Sequence, residues 1–303
     1  MKNEKMNAQF PVGEDKLMDE LHEISYRLSR EIIEITTKAG SGHPSSSLSM
    51  IDLVTALYFG GVLKYDPDQP EWPDRDRFIL SKGHAVPGLY VALARAGYFD
   101  PMNLNTLREF GSPLEGHPVM HKVPGIEAST GSLGQGLSIG LGHALAGRLD
   151  QRDYRVYVML GDGESDEGQV WEAAMAAAKF GLDQLTAILD HNQYQQTGPV
   201  SRVMPSLAPV AEKWKAFDWD VTEINGHNLT EIMDAFNHVR QVQGKPQIII
   251  ANTDKGKFLS PFTADKNTRK HGVTLTADEE KIALAELDQR YQAETAGERN
   301  GNR

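Results

Sequence analysis

"VYVMLGDGESDEGQVWEAA", residues 156–174, decides the fold. Its first five residues are an unbroken apolar run, the pattern of a strand buried on both faces. From Gly168 onward the pattern suits a helix. Between the two, GDGESDEG places three glycines and four acids in eight residues. Glycines at a strand end let the backbone approach a ligand, often a phosphate. Four carboxylates would repel a phosphate, so the turn must hold something else as well.

Outward from this stretch, residues 185–190 (LTAILD) read as a second strand, followed by HNQYQQTG. With a helix over 168–180, stopped by Gly181, they form a βαβ unit with parallel strands and a right-handed crossover. WDVTEING, NLTEIMDAFNHVRQVQ and PQIIIANT repeat strand, helix and strand. Upstream, Leu17, Leu21, Ile24, Leu28, Ile32 and Ile35 recur at helical spacing as far as Gly40, where SGHP opens a loop. Residues 49–60 predict a helix and Phe78 to Leu80 a short strand. The Gly- and Ala-rich segment 131–147 predicts a helix packed too closely for larger side chains. Thr276 with Glu279 predicts a capping box opening a last helix to about Ala296, with TAGERNGNR disordered after it. The expected fold is α/β, a doubly wound, mostly parallel sheet with helices on both faces. Residues 1–13 are expected to be flexible, 14–275 to form the binding domain, and 276–303 the last helix and tail.

The chain has 303 residues, a net charge of −11 and no cysteine. The charge argues against nucleic acid, and cysteine chemistry is excluded. No run of 18 apolar residues suggests a membrane span, and the N-terminus lacks the apolar region of a signal peptide. A cytoplasmic protein is the expectation.

Ligands of open parallel sheets sit at the carboxyl ends of the strands. Asp162 and Asn192 both fall there, and the 28 residues between Gly163 and Asn192 suit one crossover helix and one strand. A carboxylate oxygen and an amide oxygen suit Mg²⁺ or Ca²⁺, and Mg²⁺ commonly completes its shell with phosphate oxygens. The acid would bind a cation, the cation a phosphate, and the Gly163 amide could approach directly. A dinucleotide GxGxxG is missing, and Gln169 and Val170 replace the Lys-Ser/Thr of a P-loop. A purely structural tight turn remains the alternative at this point.

Further stretches narrow the choice. SGHP (41–44), SKGHA (81–85), EGHP (115–118), TGSLGQG (130–136), GDGESDEG (161–168), Asn192 and TDKG…HG (253–272) occur in the order found in transketolases. The chain resembles the amino-terminal, diphosphate-binding half of that family, and is similar to the smaller subunit of split transketolases. The resemblance implies thiamine diphosphate as cofactor with Mg²⁺, or Ca²⁺ or Mn²⁺ in its place. It implies Asp162 and Asn192 as metal ligands, with Tyr194 contributing its backbone carbonyl. It places His84, Gly163 and the Gly131-Ser132-Leu133 turn on the cofactor. His43 and His271 lie between diphosphate and substrate, and His117 faces substrate hydroxyls. Glu167 joins an acid cluster at the subunit contact, supported by Glu172. The pyrimidine-binding domain, with the glutamate that activates the cofactor, is expected on a C-terminal partner subunit in an α2β2 assembly. A ketose donor and an aldose acceptor are the implied substrates.

Two other readings compete: the alpha-type subunit of a 2-oxo acid dehydrogenase, and a non-catalytic cofactor-binding protein. The histidine motifs argue against both. His22, His121, His227 and His238 are read as ordinary surface or core residues. Ser45, Ser46, Ser47, Ser132, Tyr194 and Gln196 depart from the usual family residues, and Gln196 puts the usual substrate range in question.

Overall fold

The computed structural model describes residues 14–263 and 270–301. The expected flexible segment 1–13 lies outside the described residues. The helices are α1 (Glu14–Ala39), α2 (Pro44–Ser49), α3 (Ile51–Phe59), α4 (Val86–Arg95), α5 (Gln135–Leu149), α6 (Gly168–Lys179), α7 (Val200–Val203), α8 (Val210–Ala216), α9 (Leu229–Val239), α10 (Ser260–Thr263) and α11 (Ala277–Gly301). The strands are β1 (Arg77–Leu80), β2 (Val156–Gly161), β3 (Leu185–His191), β4 (Tyr194–Gln195), β5 (Gly198–Pro199), β6 (Asp220–Asn225) and β7 (Gln247–Asn252).

Five strands form one sheet in the order β1-β2-β3-β7-β6, every neighbour parallel. Alternation along each strand splits the core in two. Tyr157 and Met159 of β2 and Ile249 of β7 face the layer that contains Leu28, Leu57 and Phe236. Val156, Val158 and Leu160 of β2 and Ile248 and Ile250 of β7 face the layer of Leu137, Ala174 and Trp214. The central strand β2 is therefore without a polar side chain other than the Tyr157 hydroxyl, whereas the edge strand β6 is mostly half-exposed and carries Asp220 and Glu223.

Gly161 pairs in register with Asp190, so the turns after β2 and β3 leave the sheet side by side. The sequence spacing of Asp162 and Asn192 becomes proximity through this register. The small β4–β5 hairpin follows at once.

Two local expectations change. The helix expected over 49–60 is present as α3, but a further helix, α2, precedes it and starts immediately after His43, with Pro44 in its first turn. Proline fits that position because its fixed φ suits a helix start and its missing N–H is not needed there. The three serines disguised this helix as loop. The last helix is capped as expected, Glu279 Oε2 accepting from Thr276 N at 3.0 Å and Thr276 Oγ1 from Glu279 N at 3.3 Å. It runs on to Gly301 rather than giving way to a disordered tail; Asn302 and Arg303 lie outside the described residues.

The small residues of α5 have the packing role expected. A Cβ on Gly136 would come within 2.4 Å of Ser81 Cβ, and one on Gly140 within 2.5 Å of Val158 Cγ2. Gly142, exposed on the same helix, would meet nothing within 4 Å. Gly136→Ala should therefore destabilise the chain by about 1–3 kcal/mol. Gly142→Ala should stabilise it by about 0.5–1 kcal/mol through reduced backbone entropy of the unfolded chain. Urea titration of the two variants checks the opposite signs.

Candidate active site

Beyond the carboxyl ends of β1, β2, β3 and β7 lies a cavity of about 470 Å³. His43, His84, His117, Gly131, Leu133, Asp162, Gly163, Asn192, Tyr194 and His271 all line it. Motifs from seven distant stretches thus meet. Ser132, Glu167 and Glu172 are not among the lining residues; all three are exposed, Glu167 as the N-cap of α6 and Glu172 within it.

One wall is acidic. Asp162 is 2% exposed. Its Oδ1 is 2.5 Å from His191 Nδ1 and its Oδ2 accepts from Gln193 N at 2.5 Å. Asn192 Oδ1 accepts from Tyr194 N at 3.0 Å, while Asn192 Nδ2 donates to Asp190 Oδ2 at 3.2 Å. The carboxylate and the amide oxygen are thus fixed on the same short turn. Burial raises the Asp162 pKa, and the hydrogen bond from His191 opposes without cancelling it. His191 is raised, because the Asp162 hydrogen bond and charge outweigh its own burial. Among the described residues no lysine or arginine pairs with Asp162. A buried carboxylate short of positive charge suits a divalent cation, and a carboxylate-bound histidine behind it is a common support for such a ligand. Among the described residues no three His, Asp or Glu side chains gather at metal spacing, so a cation here would draw further oxygens from backbone and ligand.

Gly163 fits the same picture. Its φ is not in the left-handed region, and a Cβ would meet only Gln195, at 3.4 Å. Neither turn geometry nor packing demands glycine there, which leaves room in the cavity as the demand. Gly134 differs: its φ is +83° and a Cβ would lie 2.8 Å from Glu167 Cβ, so turn and packing both require it.

A second group of lining residues is basic. His43, His84 and His271 form a triangle of rings with centroids 5.1, 5.1 and 5.2 Å apart. Lys255 Nζ is 2.7 Å from His271 Nδ1, and the fully buried Lys82 also faces the cavity. Burial, helped by Arg108, His117 and Lys255, lowers His43 to about 4. Burial and then Lys255, His43 and Lys82 lower His271 to about 3. His84 is driven well below its ordinary value by burial and by Lys82. His117, at the rim, is lowered by burial and Arg108. The three clustered rings are neutral at pH 7, and a crowd of positive groups opposes their charging. Lys82 is paired with the Asp190 carboxylate, but among the described residues the three imidazoles pair with no acid, and His43 Nδ1 and Ser46 Oγ are buried without a hydrogen-bond partner. An anion supplies both wants. The chemistry of the lining suits a cation beside Asp162 and an anion beside the imidazoles.

Several of these residues escaped the sequence reading. Glu164 accepts from Ser81 Oγ, from Gly134 N at 2.9 Å and from Gly161 N at 3.1 Å, tying three cavity turns together. It sits in the quoted motif, but nothing separated it from its acidic neighbours. His191 was detectable by its place between Asp190 and Asn192. In the serine run, Ser45 Oγ donates to Lys270 O at 2.6 Å and Ser47 Oγ to Ala85 O at 3.1 Å, leaving Ser46 to face the cavity.

Residues 26–294 match the model of the family described as "Transketolase, thiamine diphosphate binding domain". A 6-deoxy-6-sulfo-D-fructose transketolase subunit from a Clostridium species is 46% identical over 256 residues, covering 84% of this chain and 92% of that protein. An apulose-4-phosphate transketolase subunit from Phocaeicola vulgatus is 43% identical over 263 residues, covering 87% of this chain and 92% of that protein. Human transketolase is 41% identical over 241 residues, but the match spans only 38% of its length. The crystal structure of transketolase from Campylobacter jejuni superimposes with a TM-score of 0.80 at 30% identity, over 90% of this chain and 43% of that one. The chain belongs to the transketolase family, as an amino-terminal subunit with the thiamine diphosphate-binding fold and transferase chemistry. The 2-oxo acid dehydrogenase reading is set aside by these matches.

Two outcomes follow from the two walls. Asp162→Ala should weaken thiamine diphosphate binding by roughly 100-fold or more, and Asn192→Ala, which removes a neutral ligand, somewhat less. Calorimetric titration in the presence of Mg²⁺ measures both; unchanged affinity would make the turn merely structural. The second outcome concerns pH. His43 is lowered in the folded chain from 6.5 to about 4, so between those values the unfolded chain binds more protons. That contribution to stability is complete above the unfolded value and is lost as pH falls toward the folded one. The urea midpoint of wild type should fall more steeply from pH 6.5 to pH 4 than that of His43→Asn. The comparison removes the contribution of Asp162 and Glu164, whose raised carboxyls act in the opposite sense.

Proposed function

We propose that this chain is the diphosphate-binding half of an enzyme that moves a two-carbon ketol unit from a ketose to an aldose. Its partner is a C-terminal transketolase subunit carrying the pyrimidine-binding and C-terminal domains, in an α2β2 assembly. The observation that supports this most is the triangle of His43, His84 and His271 facing the Asp162–Asn192 turn across one cavity. When bound, thiamine diphosphate supplies the carbon nucleophile that breaks and remakes the ketose carbon–carbon bond.

In this reading Asp162, Asn192 and the Tyr194 carbonyl hold Mg²⁺, and the diphosphate completes its shell. Ca²⁺ or Mn²⁺ could substitute, since the ligands are oxygens. Gly131, Ser132, Leu133 and Gly163 bring backbone to the cofactor, and His84, Lys82, Lys255 and Ser46 supply donors. His43 and His271, neutral at pH 7, each have one nitrogen able to donate and one able to accept. His43 can hand protons to and from substrate oxygens without first losing a charge, while His271, whose Nδ1 accepts from Lys255, presents its Nε2–H to donate. His117, exposed at the rim, reaches the sugar hydroxyls. Glu167 and Glu172 face outward on α6 and act at the subunit contact. The relatives named for sulfofructose and apulose phosphate support a modified ketose as the donor. The polar Gln195 and Gln196 on the cavity wall suit such a substrate.

The chain alone should show no ketol transfer, and activity should appear when the partner subunit, thiamine diphosphate and Mg²⁺ are added. Assaying xylulose 5-phosphate beside 6-deoxy-6-sulfo-D-fructose as donors separates the ordinary from the modified ketose. In that complex His117→Ala should lower kcat/KM for the ketose by about 10- to 1000-fold while the cofactor curve stays in place. His84→Ala should move the cofactor curve first. Full turnover by the partner-free chain would overturn the half-enzyme reading.

A further inference from the structure

Lys255 reaches His271 from a loop of unusual shape. Gly256, Lys257 and Phe258 follow it with φ values of +97°, +54° and +61°. Three left-handed residues in succession, two of them not glycine, persist only where surrounding contacts over-determine them. The contacts trace back to one carboxylate behind the site. Asp52 is 3% exposed, and its Oδ1 accepts from Lys257 Nζ at 2.8 Å. Its Oδ2 is 2.8 Å from His227 Nδ1, and His227 Nε2 in turn accepts from Asp254 N at 2.8 Å. A ring nitrogen that accepts from a backbone N–H carries no proton, so His227 is the Nδ1–H tautomer and donates to Asp52. The loop is thus held at both ends, at Asp254 through His227 and at Lys257 directly, with Lys255 between. Ser25 joins the same group, bonding both Asp52 and Lys257. Burial alone would raise the Asp52 pKa, but Lys257 and His227 lower it, so the anchor stays ionised.

We propose that Asp52, acting through His227 and Lys257, is the positioning group that sets Lys255 against His271 at the cofactor cavity. Asp52 and His227 do not line that cavity. They act at a distance, by fixing the loop whose Lys255 does reach it. That this serves cofactor binding rests on the function proposed above; the placement of Lys255 does not.

The test uses the full chain with ¹⁵N-labelled histidine. His227→Phe keeps a ring beside Phe258, whose centroid lies 5.1 Å from that of His227, but removes both nitrogens. Lys257→Met releases the other end, and serves if the first variant does not fold. In wild type at pH 7, His271 should be an Nε2–H tautomer, its Nδ1 accepting from Lys255. In either variant His271 should shift toward a mixture of tautomers, while His117, on another loop, keeps its spectrum. Thiamine diphosphate with Mg²⁺, titrated calorimetrically into the same proteins, should bind roughly tenfold more weakly to the variants. An unchanged His271 spectrum would overturn the proposal, and so would equal shifts at His271 and His117, which mean general loosening. If wild type failed to bind the cofactor even with its partner subunit present, the proposed function would fall, and the His271 spectra would still decide the positioning role.

Discussion

The site depends on one buried carboxylate that faces no ligand. Asp190, at the end of β3, is fully buried and accepts from Lys82 Nζ, from Ser49 Oγ at 2.5 Å, from Thr253 Oγ1 and from Asn192 Nδ2 at 3.2 Å. Each partner belongs to a different stretch that lines the cavity: Ser49 the helix behind His43, Lys82 the SKGHA turn, Asn192 the turn after β3, Thr253 the loop of Lys255. Burial would raise this acid, but the Lys82 charge and the surrounding donors lower it, so it stays ionised. Removing one member of such a buried pair costs about 3–5 kcal/mol, because the other is left charged and unpaired. The arrangement is therefore all or nothing: four turns are aligned together or not at all.

From that alignment follows the division of the cavity into two walls. Asp162 and Glu164 are acids with raised pKa on one side, and His43, His84 and His271 are bases with lowered pKa on the other. Each side resists its own charge, since burial has stripped its groups of water. A cation beside Asp162 and an anion between the cation and the imidazoles relieve both at once. Such opposed shifts in one cleft are typical of functional sites.

The βαβ unit was legible because it lies within one continuous stretch, where strand apolarity, a helix and a fixed spacing all agree. Asp162 and Asn192 followed from it directly. His43, His84, His117 and His271 were legible only by their motifs, since nothing in their local pattern shows that four distant loops share a cavity. Lys82, Lys255, Asp190 and Glu164 were not legible as site residues, because their meaning lies in partners tens to hundreds of positions away. His227 was read as ordinary because it is a lone histidine in a surface-looking NGHN turn; its two partners, Asp52 and Asp254, are visible only in the fold. The start of α2 at Pro44 was hidden by a serine run in which the Ser45 and Ser47 hydroxyls turn out to bond backbone carbonyls.

Mg²⁺ dependence of thiamine diphosphate affinity in the assembled enzyme probes the cation bridge most directly. If Asp162 and Asn192 meet the diphosphate through a cation, chelating divalent ions should weaken cofactor binding by roughly 100-fold or more, and added Mg²⁺ should restore it. Equal affinity with and without divalent ions would contradict the bridge, and would mean that the basic wall alone holds the cofactor.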